Sequence, residues 1–185
     1  KTPELGYPPE DEQVWTQGET HQASHWYPSF DYPNERFTSE MICRVPKEMT
    51  VLSNGTQVSE EIDEQTGLRV VHWLQDKPHV NYLIALVAGK LKKIETKYKD
   101  IPLGFYTPPS EIAEAPNSFA GIAEMMAFFE QEIGVPYPWD QYNQAVVFDH
   151  GGGMENTTLT TLTTRTLFRK ETENIRSSRN LVAHE

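Results

Sequence analysis

A chain of 185 residues that is 37% hydrophobic and 11% aromatic has enough apolar side chain to fill one core or two modest ones, which excludes a disordered polymer. Its 27 acids against 16 bases give a formal charge of −11, and the densest run of bases, Lys90 to Lys99, is interleaved with apolar residues. The continuous basic surface that nucleic acid requires is therefore missing, and so is any apolar run near the roughly 20 residues that span a bilayer.

The chain opens on Lys1-Thr2-Pro3-Glu4, with no initiator Met and no apolar stretch behind it, so the natural N-terminus is expected upstream. The compartment stays open between cytoplasmic, periplasmic and secreted. Tyr27 to Asn34 carries Pro28 and Pro33 and reads as an irregular, ordered loop whose aromatic side chains pack onto a sheet. Phe37 to Val45 alternates apolar and polar residues as a strand does; Cys43 within it reads as a buried packing residue, and as a single cysteine it forms no intrachain disulfide. Val51 and Leu52 lead into a turn at Ser53-Asn54-Gly55, and Leu68 to Leu74 and Val80 to Val87 add β-branched and aromatic runs. Strand after strand without a helical period implies an all-β domain over residues 1–104.

Beyond Thr107-Pro108-Pro109 the period changes. Phe119, Ile122, Met126, Phe129 and Ile133 recur at spacings of three and four, predicting a core-facing helix that Asn117 or Ser118 caps and Gly134 ends. Gln144 to Phe148 reads as a buried strand and Thr157 to Leu167 as a Thr-rich one. A last helix is expected from Thr172 or Glu173, carrying Ile175, Ser178, Leu181, Val182 and Glu185. Residues 105–185 thus form a second, mixed domain, and the fold class is α+β.

The residues with chemistry lie in this second half. Gly151-Gly152-Gly153-Met154-Glu155-Asn156 lacks the Gly-Lys-Ser/Thr that would follow in a phosphate loop, and Glu155 would repel an anion. Free backbone N–H groups beside one carboxylate suit a substrate with carbonyls and a cationic end; a glycine turn with a solvated Glu is the plainer reading, and both stand. The glycine-rich segment running into the Thr-rich strand is a candidate edge for main-chain recognition of a peptide. Asn54-Gly55-Thr56 and Asn156-Thr157-Thr158 match glycosylation sequons; the second is discounted and the first left undecided. Finally, Val182-Ala183-His184-Glu185 holds the first half of H-E-x-x-H, in which a helix face presents zinc ligands and the Glu acts as base, although a lone His-Glu pair is also common on surfaces.

The combination is more specific than its parts. Gly152 to Asn156 followed by His184-Glu185 resembles the aminopeptidase N (membrane alanyl aminopeptidase) family, gluzincin metallopeptidases that include leukotriene hydrolase. Their Gly-x-Met-Glu-Asn motif precedes an H-E-x-x-H helix in the same order. Trp15-Thr16-Gln17-Gly18-Glu19, Tyr27 to Pro33, Leu52-Ser53-Asn54-Gly55, Lys77-Pro78 and Tyr82-Leu83-Ile84-Ala85 also look like that family's β-domain. The resemblance implies the C-terminal part of a saddle-like all-β domain in 1–104 and the opening of a thermolysin-like catalytic domain in 105–185. It implies Zn2+ as cofactor, His184 as a zinc ligand and Glu185 as general base for zinc-activated water. It further implies that Glu155 pairs with the free α-amine of a peptide substrate, that Gly152, Gly153, Met154 and Asn156 belong to the substrate-binding segment, and that Glu19 lines the first side-chain pocket and helps bind the amine. Two carboxylates around one ammonium make a strong charge-assisted site; the plain alternative for Glu19 is a surface acid on a loop.

The second His, a further Glu ligand and an oxyanion-stabilising Tyr are absent from this sequence, so a chain limited to these residues is expected to be inactive alone, with too few ligands for a tight metal site. Two other readings remain: a non-catalytic relative serving as an interaction scaffold, and an epoxide hydrolase like leukotriene hydrolase on the same zinc site.

Overall fold

The computed structural model describes residues 12–185, which divide into two compact units: residues up to Leu91 with Glu155–Leu159, and Lys92–Met154 with Thr160–Glu185.

In the first unit, alternation decides which faces are buried. Strands β1 (Gln13–Trp15), β2 (Arg36–Val45), β3 (Thr50–Ser53), β4 (Thr56–Ile62), β5 (Arg69–Val80) and β6 (Leu86–Gly89) make two three-stranded sheets, ordered β1-β6-β3 and β2-β5-β4. Along β5 the side chains of Val71, Trp73 and Gln75 point inward, and the Trp73 indole N–H donates to the Val51 carbonyl at 3.1 Å, fastening one sheet to the other. Val51, Leu52, Val71, Ala85 and Val87 fill the interior between the sheets. The expected run Val80 to Val87 is broken by a 3-10 turn at Asn81–Leu83, because buried Asn81 bonds outside the ladder: its Nδ2 donates to the Phe30 carbonyl at 2.6 Å and its own carbonyl accepts from the Tyr27 hydroxyl at 2.9 Å. This ties down the Pro-rich loop. The expected packing of its aromatics holds for Tyr27, whereas Phe30 and Tyr32 point to solvent at 78% and 66% exposure.

In the second unit, β7 (Lys92–Tyr98), β8 (Ile101–Thr107), β9 (Tyr142–Val147), β10 (Gly153–Met154) and β11 (Leu159–Thr163) form one sheet ordered β10-β11-β9-β8-β7. The β7–β8 hairpin is antiparallel, but β8 pairs with β9 in parallel. A parallel neighbour requires a crossover, and helices α1 (Ala115–Ser118) and α2 (Ile122–Ile133) supply it. This pairing draws β7 and β8 into the second unit, so the compact units meet at Leu91/Lys92, upstream of the 104/105 division expected from the change of period. The lysine run becomes intelligible here: Lys92, Lys93 and Lys97 are on an edge strand, where charge discourages pairing with another chain.

Phe105 stacks on Phe119 at 4.8 Å between centroids, and Leu103, Ile122, Val146, Leu162 and Val182 complete the core. Gly134, with φ 74°, ends α2 as expected. Its start differs: Gly121 at φ 91° separates α1 from α2, and the apolar stripe is buried at Phe119 and Ile122 and half-buried against the core at Met126, while Phe129 and Ile133 are exposed. The last helix, α3 (Arg179–His184), begins later than the expected 172 or 173, and Ile175 lies outside it, 90% exposed. Ser178, rather than a residue of that earlier turn, is what the fold anchors; its hydroxyl reaches the Ser118 carbonyl at 3.3 Å. The described chain is therefore α+β, with sheet predominating.

Candidate active site

Taking the site from the residues upward, the glycine loop is held by two contacts to the Thr-rich strand. Thr163 N–H donates to the Gly152 carbonyl at 2.7 Å, and His150 lies 3.2 Å from the Thr161 hydroxyl while its Nδ1 accepts from Gly152 N–H at 3.3 Å. Burial lowers the His150 pKa, so the ring serves as a neutral hydrogen-bonding bracket. The Thr-rich strand itself, β11, is interior to the sheet, and the glycine segment that runs into it supplies the edge, β10 at Gly153–Met154. That two-residue edge runs antiparallel to β11, with Gly153 opposite Leu162 and Met154 opposite Thr161.

The two motif pieces of the second unit come together at Gly153. A Cβ built on this residue falls within the Glu185 carboxyl group, so the carboxyl lies directly against the Gly153 backbone, an approach only a residue without a side chain leaves open. Helix α3 delivers it: Val182 is buried in the core, and Glu185 N–H continues the helical ladder to the Leu181 carbonyl at 3.1 Å. His184, on the same turn, is exposed. Beside Glu185 opens a cavity of about 310 Å³, lined mainly by apolar side chains including Ile122, Met126, Phe129 and Tyr142. The Tyr142 hydroxyl contacts Thr160 at 2.9 Å and accepts from Gln144 at 2.8 Å; burial raises its pKa, and the Glu185 charge adds to the rise. Among the described residues no three His, Cys, Asp or Glu side chains gather as a metal-binding group.

Glu155 belongs to the first unit's segment 155–159. It is the one exposed side chain in the run from Met154 to Thr163. What fixes the backbone after it is a residue to which the sequence assigned a turn, a sequon and a place in the β-domain resemblance, but no part in the site. Asn54, 2% exposed, donates from Nδ2 to the Thr157 carbonyl at 2.6 Å and to the Leu83 carbonyl at 2.8 Å, and its Oδ1 accepts from Ala85 N–H at 2.8 Å. Gly55 N–H donates to the Thr158 hydroxyl at 2.7 Å, and Thr157 N–H to the Leu83 carbonyl at 3.2 Å. Thr158 has φ 62°, a conformation that costs a β-branched residue about 1–3 kcal/mol and persists only where surrounding bonds impose it. Asn156, also 2% exposed, is as inaccessible as Asn54, so in the folded chain neither sequon presents a free amide to a glycosylating enzyme.

Glu19 is exposed in the turn after β1, joined to Thr20 by a cis peptide bond. The Gly18 backbone before it packs on the Tyr82 carbonyl, where an added Cβ would come within 2.7 Å. The Tyr82-Leu83 turn therefore supports both acid-bearing segments, Glu19 through Gly18 and Glu155 through Thr157. The signal for this was present in Tyr82-Leu83-Ile84-Ala85, which the sequence marked as a strand and as part of the β-domain resemblance without linking it to either acid.

Comparison with known proteins accounts for both halves. Residues 6–83 match the Peptidase M1 N-terminal domain and residues 118–185 the Peptidase family M1 domain, in that order. The chain belongs to the M1 peptidase family. This M1 chain is 27% identical over 143 residues to an aminopeptidase N of Acetobacter pasteurianus, covering 76% of the chain and 40% of that relative. It is 30% identical over 153 residues to aminopeptidase 2 of Candida albicans, covering 80% of the chain and 16% of the relative. With the mitochondrial aminopeptidase 2 of Saccharomyces cerevisiae it shares 30% over 149 residues, 79% of the chain and 15% of the relative. The M1 chain thus spans less than half the length of these curated relatives.

Proposed function

We propose that the gene product carrying this chain is a zinc-dependent aminopeptidase that removes single N-terminal residues from peptides. The observation that most supports the reading is the approach of the Glu185 carboxyl to the Gly153 backbone, which brings the start of the H-E motif to the glycine segment within one unit. The aminopeptidase names of the relatives agree with it.

In this reading each residue has a distinct task. The β10 edge at Gly153–Met154, with Gly152 before it, takes the substrate main chain as an added strand. Glu155 receives the α-ammonium, with Glu19 as a second carboxylate, which restricts cleavage to the first residue. Asn156, buried behind Glu155, is part of the same segment's frame. Glu185 acts as general base, taking a proton from the attacking water and returning it to the leaving amine. His184 offers an exposed imidazole as one zinc ligand; the others are proposed to come from outside residues 12–185. Bound zinc supplies a lowered water pKa, near 7, and polarisation of the scissile carbonyl.

The test is release of fluorophore from a panel of aminoacyl amides by the intact gene product, with and without chelator and with Glu155→Ala alongside. Chelator-sensitive turnover that requires a free α-amine and collapses in the variant establishes the aminopeptidase. Bound zinc without turnover favours another hydrolase such as an epoxide hydrolase, and absence of zinc favours the scaffold.

A further inference from the structure

We propose that Asn54 is a positioning residue for recognition of the substrate amine: with the Thr158 hydroxyl, its side-chain amide holds the segment bearing Glu155 in one conformation. This rests on the aminopeptidase reading above.

Three observations lead to it. The first is the completeness of the bonding: both Nδ2 hydrogens and Oδ1 of Asn54 are engaged, joining the turn after β3 to Leu83, Ala85 and Thr157, so that residues 103 apart in sequence are locked by one amide. A turn by itself asks for none of these long-range bonds. The second is Thr158, whose left-handed backbone is sterically disfavoured and is met by a tailored partner, Gly55 N–H on Thr158 Oγ1 at 2.7 Å. The third is the contrast at Glu155, an exposed side chain next to a backbone whose following three residues, Asn156, Thr157 and Thr158, are all buried. A carboxylate that must meet an ammonium gains affinity when its backbone is already ordered, because less freedom is lost on binding. Asn54 touches no substrate in this scheme; it acts through the main chain at Thr157 and Thr158.

The experiment uses the intact gene product as wild type, Asn54→Asp, Thr158→Val and Thr158→Ser. Asn54→Asp keeps the shape but turns a carboxylate oxygen toward the Leu83 and Thr157 carbonyls. Thr158→Val removes the acceptor for Gly55, and Thr158→Ser retains it. KM and kcat are measured on aminoacyl amides, and calorimetry compares alaninamide with N-acetyl-alaninamide after chelation has removed the metal. Asn54→Asp and Thr158→Val are expected to raise KM and weaken alaninamide by about tenfold or more while kcat stays within about threefold, with Thr158→Ser near wild type. Wild-type KM and amide affinity in Thr158→Val overturns the proposal, even where Asn54→Asp does not fold; so does a Thr158→Ser as impaired as the valine variant, which would trace the effect to packing. A wild-type protein that binds the free and acetylated amides equally defeats the aminopeptidase reading itself and the proposal with it, an outcome distinct from discrimination that survives in every variant.

Discussion

Burial of His79 predicts that the first unit loses stability in acid, and one substitution isolates the effect. The residue lies near the end of β5, 3% exposed, with Nε2 2.9 Å from the Ser39 hydroxyl and Nδ1 buried without a hydrogen-bond partner. Burial pushes its pKa from 6.5 down to about 4. A base whose pKa is depressed by folding binds fewer protons folded than unfolded, so its stabilising contribution is complete above pH 6.5 and lost as pH falls toward 4. Between pH 7 and 4.5 the linkage is expected to amount to about 2 kcal/mol, a large share of a typical domain's stability. In His79→Gln the side chain stays neutral throughout, and that loss is removed. Urea unfolding followed by tryptophan fluorescence, to which Trp73 on the same strand contributes, is measured at intervals over this range for both proteins. The difference in unfolding free energy between them is expected to change by about 2 kcal/mol from pH 7 to 4.5. His150, also depressed by burial, is common to both proteins and cancels. A difference that stays flat over the range refutes the reasoning, because it means the imidazole charges as readily in the folded protein as in the unfolded chain.

Other consequences are equally direct. Glu155→Gln keeps the shape of an exposed side chain and removes its charge, so in the intact gene product KM for aminoacyl amides should rise by about 10- to 100-fold with the melting temperature unchanged; an unaltered KM removes Glu155 from the amine site. Leu103, fully buried in the second core, should cost about 2–5 kcal/mol when cut to alanine, read by urea unfolding; a loss below about 1 kcal/mol would mean that core is not packed as described. Expressed through a glycosylating secretory pathway, folded protein should carry no glycan at Asn54 or Asn156 by peptide mass spectrometry, and a modified residue at either position contradicts its burial. Chelation should abolish turnover by the intact gene product and added Zn2+ should restore it; activity indifferent to chelator excludes the proposed cofactor.

Much of this chain is legible in one dimension. β2 follows from alternation, because a strand with one face toward the core repeats every two residues, and the first half of β5 from its β-branched and aromatic run; the stop of α2 follows from Gly134, because a left-handed cap suits glycine. The glycine segment and the His-Glu pair were recognisable as candidate site residues from residue type and order alone. Strand β4 was not, since every one of its residues is exposed among the described residues and an edge strand without a buried face shows no period. The break before α2 was hidden because Gly121 sits inside an apolar repeat that runs across it.

What the tertiary structure alone decided is which distant pieces serve one another. Local periodicity reports how each segment meets water, so it determined most of the elements and the α+β class, while residue type and order marked the candidate residues. It carries no information on pairings across long loops. Only folding sets β8 beside β9, turns the Thr-rich stretch into an interior strand, lays the Glu185 carboxyl on Gly153, and makes Asn54 the clamp on the strained segment that follows Glu155. Those arrangements depend on hydrogen bonds and close approaches between residues far apart in the chain, and a single sequence records the partners of such contacts without recording that they meet.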